Sequence, residues 1–95
     1  MIDEKTKMRL AQMDAVHEEL RSTFAVKNTD YGDSFSEYGP VGVLIRMGDK
    51  VKRLVSVTKN GVVLVDGESL RDTAMDLANY ATMLVMLLDE VGGNG

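Results

Sequence analysis

Apolar residues recur along this chain in three runs at helical spacing, separated by stretches rich in turn formers. The first run, from about Asp3 to Val26, places Leu10, Met13, Val16, Leu20 and Phe24 on one side of a helix. A second run, from about Val41 to Thr58, does the same with Leu44, Met47, Val51, Leu54 and Val55. The third, from near Glu68 to about Val91, carries Leu70, Ala74, Leu77, Ala81, Leu84, Leu88 and Val91 as one stripe. Asp66 suits its N-cap and Gly92 its C′ position.

Between the first two runs, residues 27–40 read KNTDYGDSFSEYGP. Gly32, Gly39 and Pro40 punctuate this stretch, and Asn28, Asp30, Asp33 and Ser34 favour turns, so it reads as a loop. Pro40 suits the entry to the second helix, where a missing N–H costs nothing. Residues 60–67, NGVVLVDG, read as an extended connector, because a lone strand needs a partner. The expected fold is all-α. It is a small bundle of three main helices with a Gly/Asp-rich loop and one short extended connector. A single helical domain over residues 1–91 is followed by a flexible tail, 92–95.

The C-terminal half of the third helix is apolar all round, because Met83, Met86 and Leu87 lie opposite its stripe. In a small protein such a helix is most readily buried against another copy of itself, which predicts a homo-oligomer.

Composition narrows the chemistry. At 95 residues and 10.4 kDa the chain has room for one domain. It has no cysteine and one histidine, which excludes disulfide frameworks, thiolate-ligated zinc and multi-histidine metal sites. Eleven Lys and Arg against fifteen Asp and Glu give a net charge of −4. That balance argues against a nucleic acid polymer or an anionic membrane as partner. The longest apolar stretch, Ala81 to Leu88, is too short to span a bilayer. Asp3, Glu4, Lys5 and Lys7 interrupt any signal-peptide core, so a cytoplasmic protein is expected.

Arg46, Asp49, Lys50 and Arg53 fall on one side of the second helix. On the third, Asp72, Asp76, Asn79 and Tyr80 share the face opposite its stripe. Such a set is either an ion-pair network or a phosphate site, with Arg and Lys on phosphate oxygens. Tyr31 and Tyr80 stand beside these charges and suit base stacking. His17 lies near the apolar stripe of the first helix and reads as a core or interface histidine.

These residues form a familiar series. Lys27-Asn28-Thr29-Asp30-Tyr31-Gly32-Asp33-Ser34-Phe35 resembles the KNxDYGxSF opening of a phage and prophage family, nucleotide modification associated domain 1. Arg46 to Leu54 resembles its R-x-x-D-K-x-x-R-L element, and Asp72 to Ala81 its D-x-x-x-D-L-A-N-Y-A element. The resemblance implies nucleotide chemistry in the cytoplasm of an infected or lysogenic bacterial host. A looser similarity reaches phage MazG-like proteins, all-α nucleoside triphosphate pyrophosphohydrolases in which four acidic side chains hold Mg²⁺ against a triphosphate. Asp72 and Asp76 match the later acidic pair. The earlier pair departs from that pattern, because Asp14, Glu18 and Glu19 point away from the first helix's stripe. Asp49 or Glu68 is the substitute.

Two readings follow. In one, the protein holds a small-molecule nucleotide without turning it over and needs no cofactor. Lys27, Arg46, Lys50 and Arg53 then bind phosphates, Asn28 or Asn79 reads a base edge, Tyr31 or Tyr80 stacks, and Asp30 joins the binding set. In the other, Mg²⁺ on Asp72, Asp76 and Asp49 supports hydrolysis of a nucleoside triphosphate.

Overall fold

A computed structural model describes residues 1–59 and 68–92. Three helices account for them: α1 (Glu4–Tyr31), α2 (Phe35–Lys59) and α3 (Glu68–Gly92). Among the described residues there is no strand. The expected connector, the Asp66 cap and the end of the tail lie outside the described residues. The chain divides into two compact units, Met1–Gly32 and Asp33–Gly95.

The first unit is α1 with its caps. Asp3 starts the helix in extended conformation, and its side chain accepts the Thr6 N–H at 2.7 Å. One orphan donor of the first turn is thereby satisfied. Gly32 ends the helix in the left-handed region, φ 61° and ψ 39°, with its N–H directed to the Asn28 and Thr29 carbonyls. A residue without Cβ adopts that conformation at no steric cost. The helix therefore runs on through Lys27–Tyr31, where the turn-forming residues predict a loop. The Thr29 hydroxyl donates back to the Ala25 carbonyl at 2.7 Å, so even this turn former is absorbed into the helix. Of the expected stripe, Leu20 is buried, Val16 and Phe24 are half-buried, and Leu10 and Met13 are exposed. His17 is exposed, so within this chain it is not a core histidine.

The second unit is the α2–α3 hairpin. Asp33, at φ 63°, opens it, and its carbonyl accepts the Ser36 N–H at 3.1 Å and the Ser36 hydroxyl at 2.9 Å. Phe35–Tyr38 is a single helical turn that breaks at Gly39, whose φ of 71° and ψ of 176° are not helical. Pro40 then begins the long regular part of α2, at the position where its missing N–H is harmless. Between α1 and this point only residues 32–34 and Gly39 leave the helical path, so the loop expected over 27–40 shrinks to two short breaks.

Lys50 stands nine residues before the end of α2, and Asp76 eight residues after the start of α3. Their side chains meet, so the helices pack antiparallel, as an eight-residue connection requires. Val43 of α2 and Leu87 of α3 are buried, at 1% and 4% exposure, and Thr73 is buried with them. Met47, Leu54 and Val57 on α2 share the register of Val43 and are half-buried.

This packing corrects both apolar stripes. On α2 the apolar residues belong to two faces. Val43, Met47, Leu54 and Val57 turn inward, while Leu44, Val51 and Val55 are exposed together with Val41 and Ile45. On α3 the inner face is Thr73, Asp76, Tyr80, Leu84 and Leu87, rotated by roughly a quarter turn from the expected stripe. Leu70, Ala74 and Leu88 of that stripe are exposed. A helix that is apolar on most sides does not announce which side its partner takes.

Candidate functional site

The hairpin has two sides, and helical register assigns residues to each. On one side stand Arg46, Asp49, Lys50 and Arg53 from α2, with Asp72, Asp76 and Asn79 from α3. Antiparallel packing with the observed inner faces brings these two sets to the same side. The opposite side carries the exposed apolar positions described above. Sequence spacing groups the polar residues by helix, and the hairpin rotation joins the groups.

At the seam, Lys50 Nζ lies 3.3 Å from Asp76 Oδ2, with side chains about one quarter and one third exposed. Lys50 points along α2 toward the partner helix and is partly shielded from water. A pair this exposed stabilises the fold only modestly, and its main effect is to fix where the ammonium sits. Arg46 and Arg53, one turn before and one turn after Lys50, are exposed. Among the described residues neither makes an ion pair with a carboxylate. Their attachment points are about 10 Å apart along the helix.

Arg46 has another partner. Its guanidinium lies 5.8 Å from the centroid of the Tyr38 ring, within cation–π range. Tyr38 reaches this place because the chain turns at Gly39 and Pro40, which folds the Phe35–Tyr38 turn back toward α2. Gly42 makes room for it: a Cβ built on Gly42 meets the Tyr38 Cβ at 2.6 Å. Sequence reasoning passed over Tyr38 because eight residues separate it from Arg46. The signal was the Tyr-Gly-Pro-x-Gly string, a bend followed by a residue with no side chain.

The remaining candidates fall elsewhere. Tyr80 is half-buried in the register of Thr73 and Leu87, on the inner face of α3 rather than with the outward polar residues. Asn79 is half-buried and hydrogen-bonded or otherwise engaged. Lys27, Asn28, Asp30 and Tyr31 belong to the last turns of α1, in the other unit. Tyr31 is well exposed there, and Asn28 lines a groove along α1 with Asp14, His17, Glu18 and Arg21.

A divalent cation needs several hard oxygen ligands around one point. Among the described residues no group of three or more His, Asp or Glu side chains is placed to hold a metal ion. Asp72 and Asp76 are one turn apart on α3 and Asp49 shares their side of the hairpin, but the three do not form a cage within one chain.

No helix among the described residues is long and apolar enough to cross a membrane. Comparison with curated proteins gave no match, and neither did comparison with solved structures. A family model described as nucleotide modification associated domain 1 matches residues 27–88. That span begins at the end of α1, takes in the whole of α2 and ends near the end of α3. It contains the basic residues of α2, Tyr38 and the acidic residues of α3 just described, and on this match the chain belongs to the nucleotide modification associated domain 1 family.

Proposed function

We propose that the protein binds the phosphates of a free nucleotide, or of a nucleotide signal, on the polar side of the α2–α3 hairpin and holds it without turnover. The observation that carries this reading is a pair of exposed guanidinium groups, Arg46 and Arg53, without carboxylate partners among the described residues, flanking a positioned ammonium. The two arginines stand two turns apart on a face that also carries Asp49, Asp72 and Asp76, yet neither makes an ion pair among the described residues. Guanidinium groups offer paired donors that match phosphate oxygens, and Lys50 adds a point charge between them. The family's nucleotide-related name agrees with this chemistry at the level of ligand class.

In this reading Arg46, Lys50 and Arg53 take phosphates and Asn79 reads a base edge, with Tyr80 as the stacking candidate on α3. Lys27, Asn28, Asp30 and Tyr31 are binding candidates through the sequence block they share at the end of α1. The protein acts as a homo-oligomer in the cytoplasm of a bacterial host carrying a phage or prophage, and it needs no cofactor.

The competing reading is a Mg²⁺-dependent nucleoside triphosphate pyrophosphohydrolase of the MazG-like class, resting on the i, i+4 spacing of Asp72 and Asp76 near Asp49. Equilibrium dialysis against labelled nucleotides, with and without Mg²⁺, separates the two. Binding that is independent of Mg²⁺, competed by inorganic phosphate and weakened by salt supports the first reading. Binding or turnover only with Mg²⁺ contradicts it.

A further inference from the structure

A nucleobase stacks best on an exposed ring, and the polar side of the hairpin offers one. The chain has three tyrosines, two phenylalanines and no tryptophan. Phe24 and Tyr31 belong to the first unit, Phe35 and Tyr80 are half-buried, and Tyr38 is 53% exposed. We propose that the base of the bound nucleotide stacks on Tyr38, in place of Tyr80. The ligand then lies with its base at the Gly39 end of α2 and its phosphates along Lys50 and Arg53. This inference rests on the nucleotide reading above and names the base-binding end of that site.

The ring is held in place before any ligand arrives. Gly39 and Pro40 turn the Phe35–Tyr38 segment back, and the missing Cβ of Gly42 leaves room for the root of the Tyr38 side chain. The Asp33 carbonyl accepts from the Ser36 N–H and hydroxyl, and the Ser34 carbonyl from the Glu37 N–H at 3.0 Å, which ties the same turn. A side chain positioned this way has little rotamer freedom left to lose on binding. One face of the ring meets the Arg46 guanidinium, 5.8 Å from the centroid. Its second face suits a base, and such stacking tolerates any base because each has a π-face.

Register sets the direction. Arg46 is the first of the three cations, and Tyr38 stands at that first member. Lys50 follows about 6 Å along the helix axis and Arg53 about 10 Å. Asn79, three residues past Asp76, comes to the level of Met47 in the antiparallel pair, so its amide also lies at the Arg46 end. An aromatic face and an edge-reading amide thus share one end of the cation row. Arg46 serves both parts of the ligand, since a guanidinium stacks through its plane and donates from its edge.

Calorimetric titration of the full chain with two probes, ATP and inorganic tripolyphosphate, separates base from phosphate. Tyr38→Leu is expected to lower the ratio of ATP affinity to tripolyphosphate affinity about tenfold or more, the worth of one stacked base. Tyr38→Phe, which keeps the ring, rescues the ratio. An unchanged ratio in Tyr38→Leu overturns the inference and leaves the phosphate site standing, because Tyr38 then acts through Arg46 or not at all. A parent chain that binds neither probe overturns the nucleotide reading, and this inference with it. Since Tyr38→Leu can also disturb the turn, Tyr38→Trp provides a second measurement, its indole being the sole one in the chain. Quenching of its fluorescence by ATP and not by tripolyphosphate is expected, and an equal response to both contradicts stacking.

Discussion

Lys50 Nζ and Asp76 Oδ2 approach to 3.3 Å across the α2–α3 seam, at the helix rotation that burial of Val43, Thr73 and Leu87 sets. With it in place, Arg46, Asp49 and Arg53 stand on the same side of the hairpin as Asp72 and Asn79. The carboxylate holds the ammonium at the edge of the basic face and also places a negative charge beside any bound phosphate. Asp76→Asn keeps the side-chain shape and removes that charge. Under the binding reading its nucleotide affinity rises severalfold, because a repulsive charge near the phosphates is gone. Its stability falls by less than about 1 kcal/mol, as suits a partly exposed pair. A loss of binding in calorimetry contradicts this, and a lost Mg²⁺-dependent turnover would favour the hydrolase.

Arg53 is exposed and makes no ion pair among the described residues, so removing it costs the fold little. Arg53→Ala is expected to lower nucleotide affinity about ten- to a hundredfold, the worth of one charge-assisted hydrogen bond to phosphate. Its melting temperature moves by less than about 4 °C. A large drop in melting temperature with intact binding identifies a structural role instead.

Gly42 and Tyr38 are in close register, since a Cβ on Gly42 meets the Tyr38 Cβ at 2.6 Å. Gly42→Ala must displace the Tyr38 backbone or side-chain root, and neither is the free end of a flexible chain. The alanine gains helix propensity, but the overpacking costs about 1–3 kcal/mol and outweighs it. Urea denaturation checks the sign. A stabilised variant shows that the Phe35–Tyr38 turn does not fold back onto α2.

The pH response of α1 begins at its cap. Hydrogen bonds from the Thr6 hydroxyl and Thr6 N–H hold the Asp3 carboxyl below its ordinary value of 3.8. A carboxyl whose folded pKa is depressed contributes stability above its unfolded value, and that contribution is lost as pH falls through the folded one. The Thr6 amide resonance therefore shifts, and its protection relative to an open amide is lost, only below about pH 4. Asp3→Asn, which keeps an acceptor at every pH, flattens the response. A Thr6 transition near pH 6 contradicts the assignment.

Three helices were legible because their apolar residues keep a 3.6-residue period over long runs. Their boundaries were less so. Lys27–Tyr31 contains Asn, Thr and Asp, which favour turns in isolation, yet the Gly32 cap lets the helix continue through them. The face of α3 was hidden for a different reason. With Leu70, Leu77, Leu84 and Leu88 on one stripe and Met83, Met86 and Leu87 around it, apolarity points in most directions, and only packing against α2 selects Leu87. The cations of α2 were legible from spacing alone. Tyr38 was not, because its place beside Arg46 depends on a bend at Gly39 that brings distant positions together.

The most direct test is a recovery experiment. The protein is incubated with Mg²⁺ and a panel of nucleoside triphosphates, cyclic dinucleotides and ADP-ribose derivatives. Each compound is then quantified by mass spectrometry, first in the filtrate and again after heat denaturation of the protein. A nucleotide missing from the filtrate and recovered intact after denaturation is the predicted result. Conversion to a monophosphate and pyrophosphate, or full recovery of every compound in the filtrate, contradicts it.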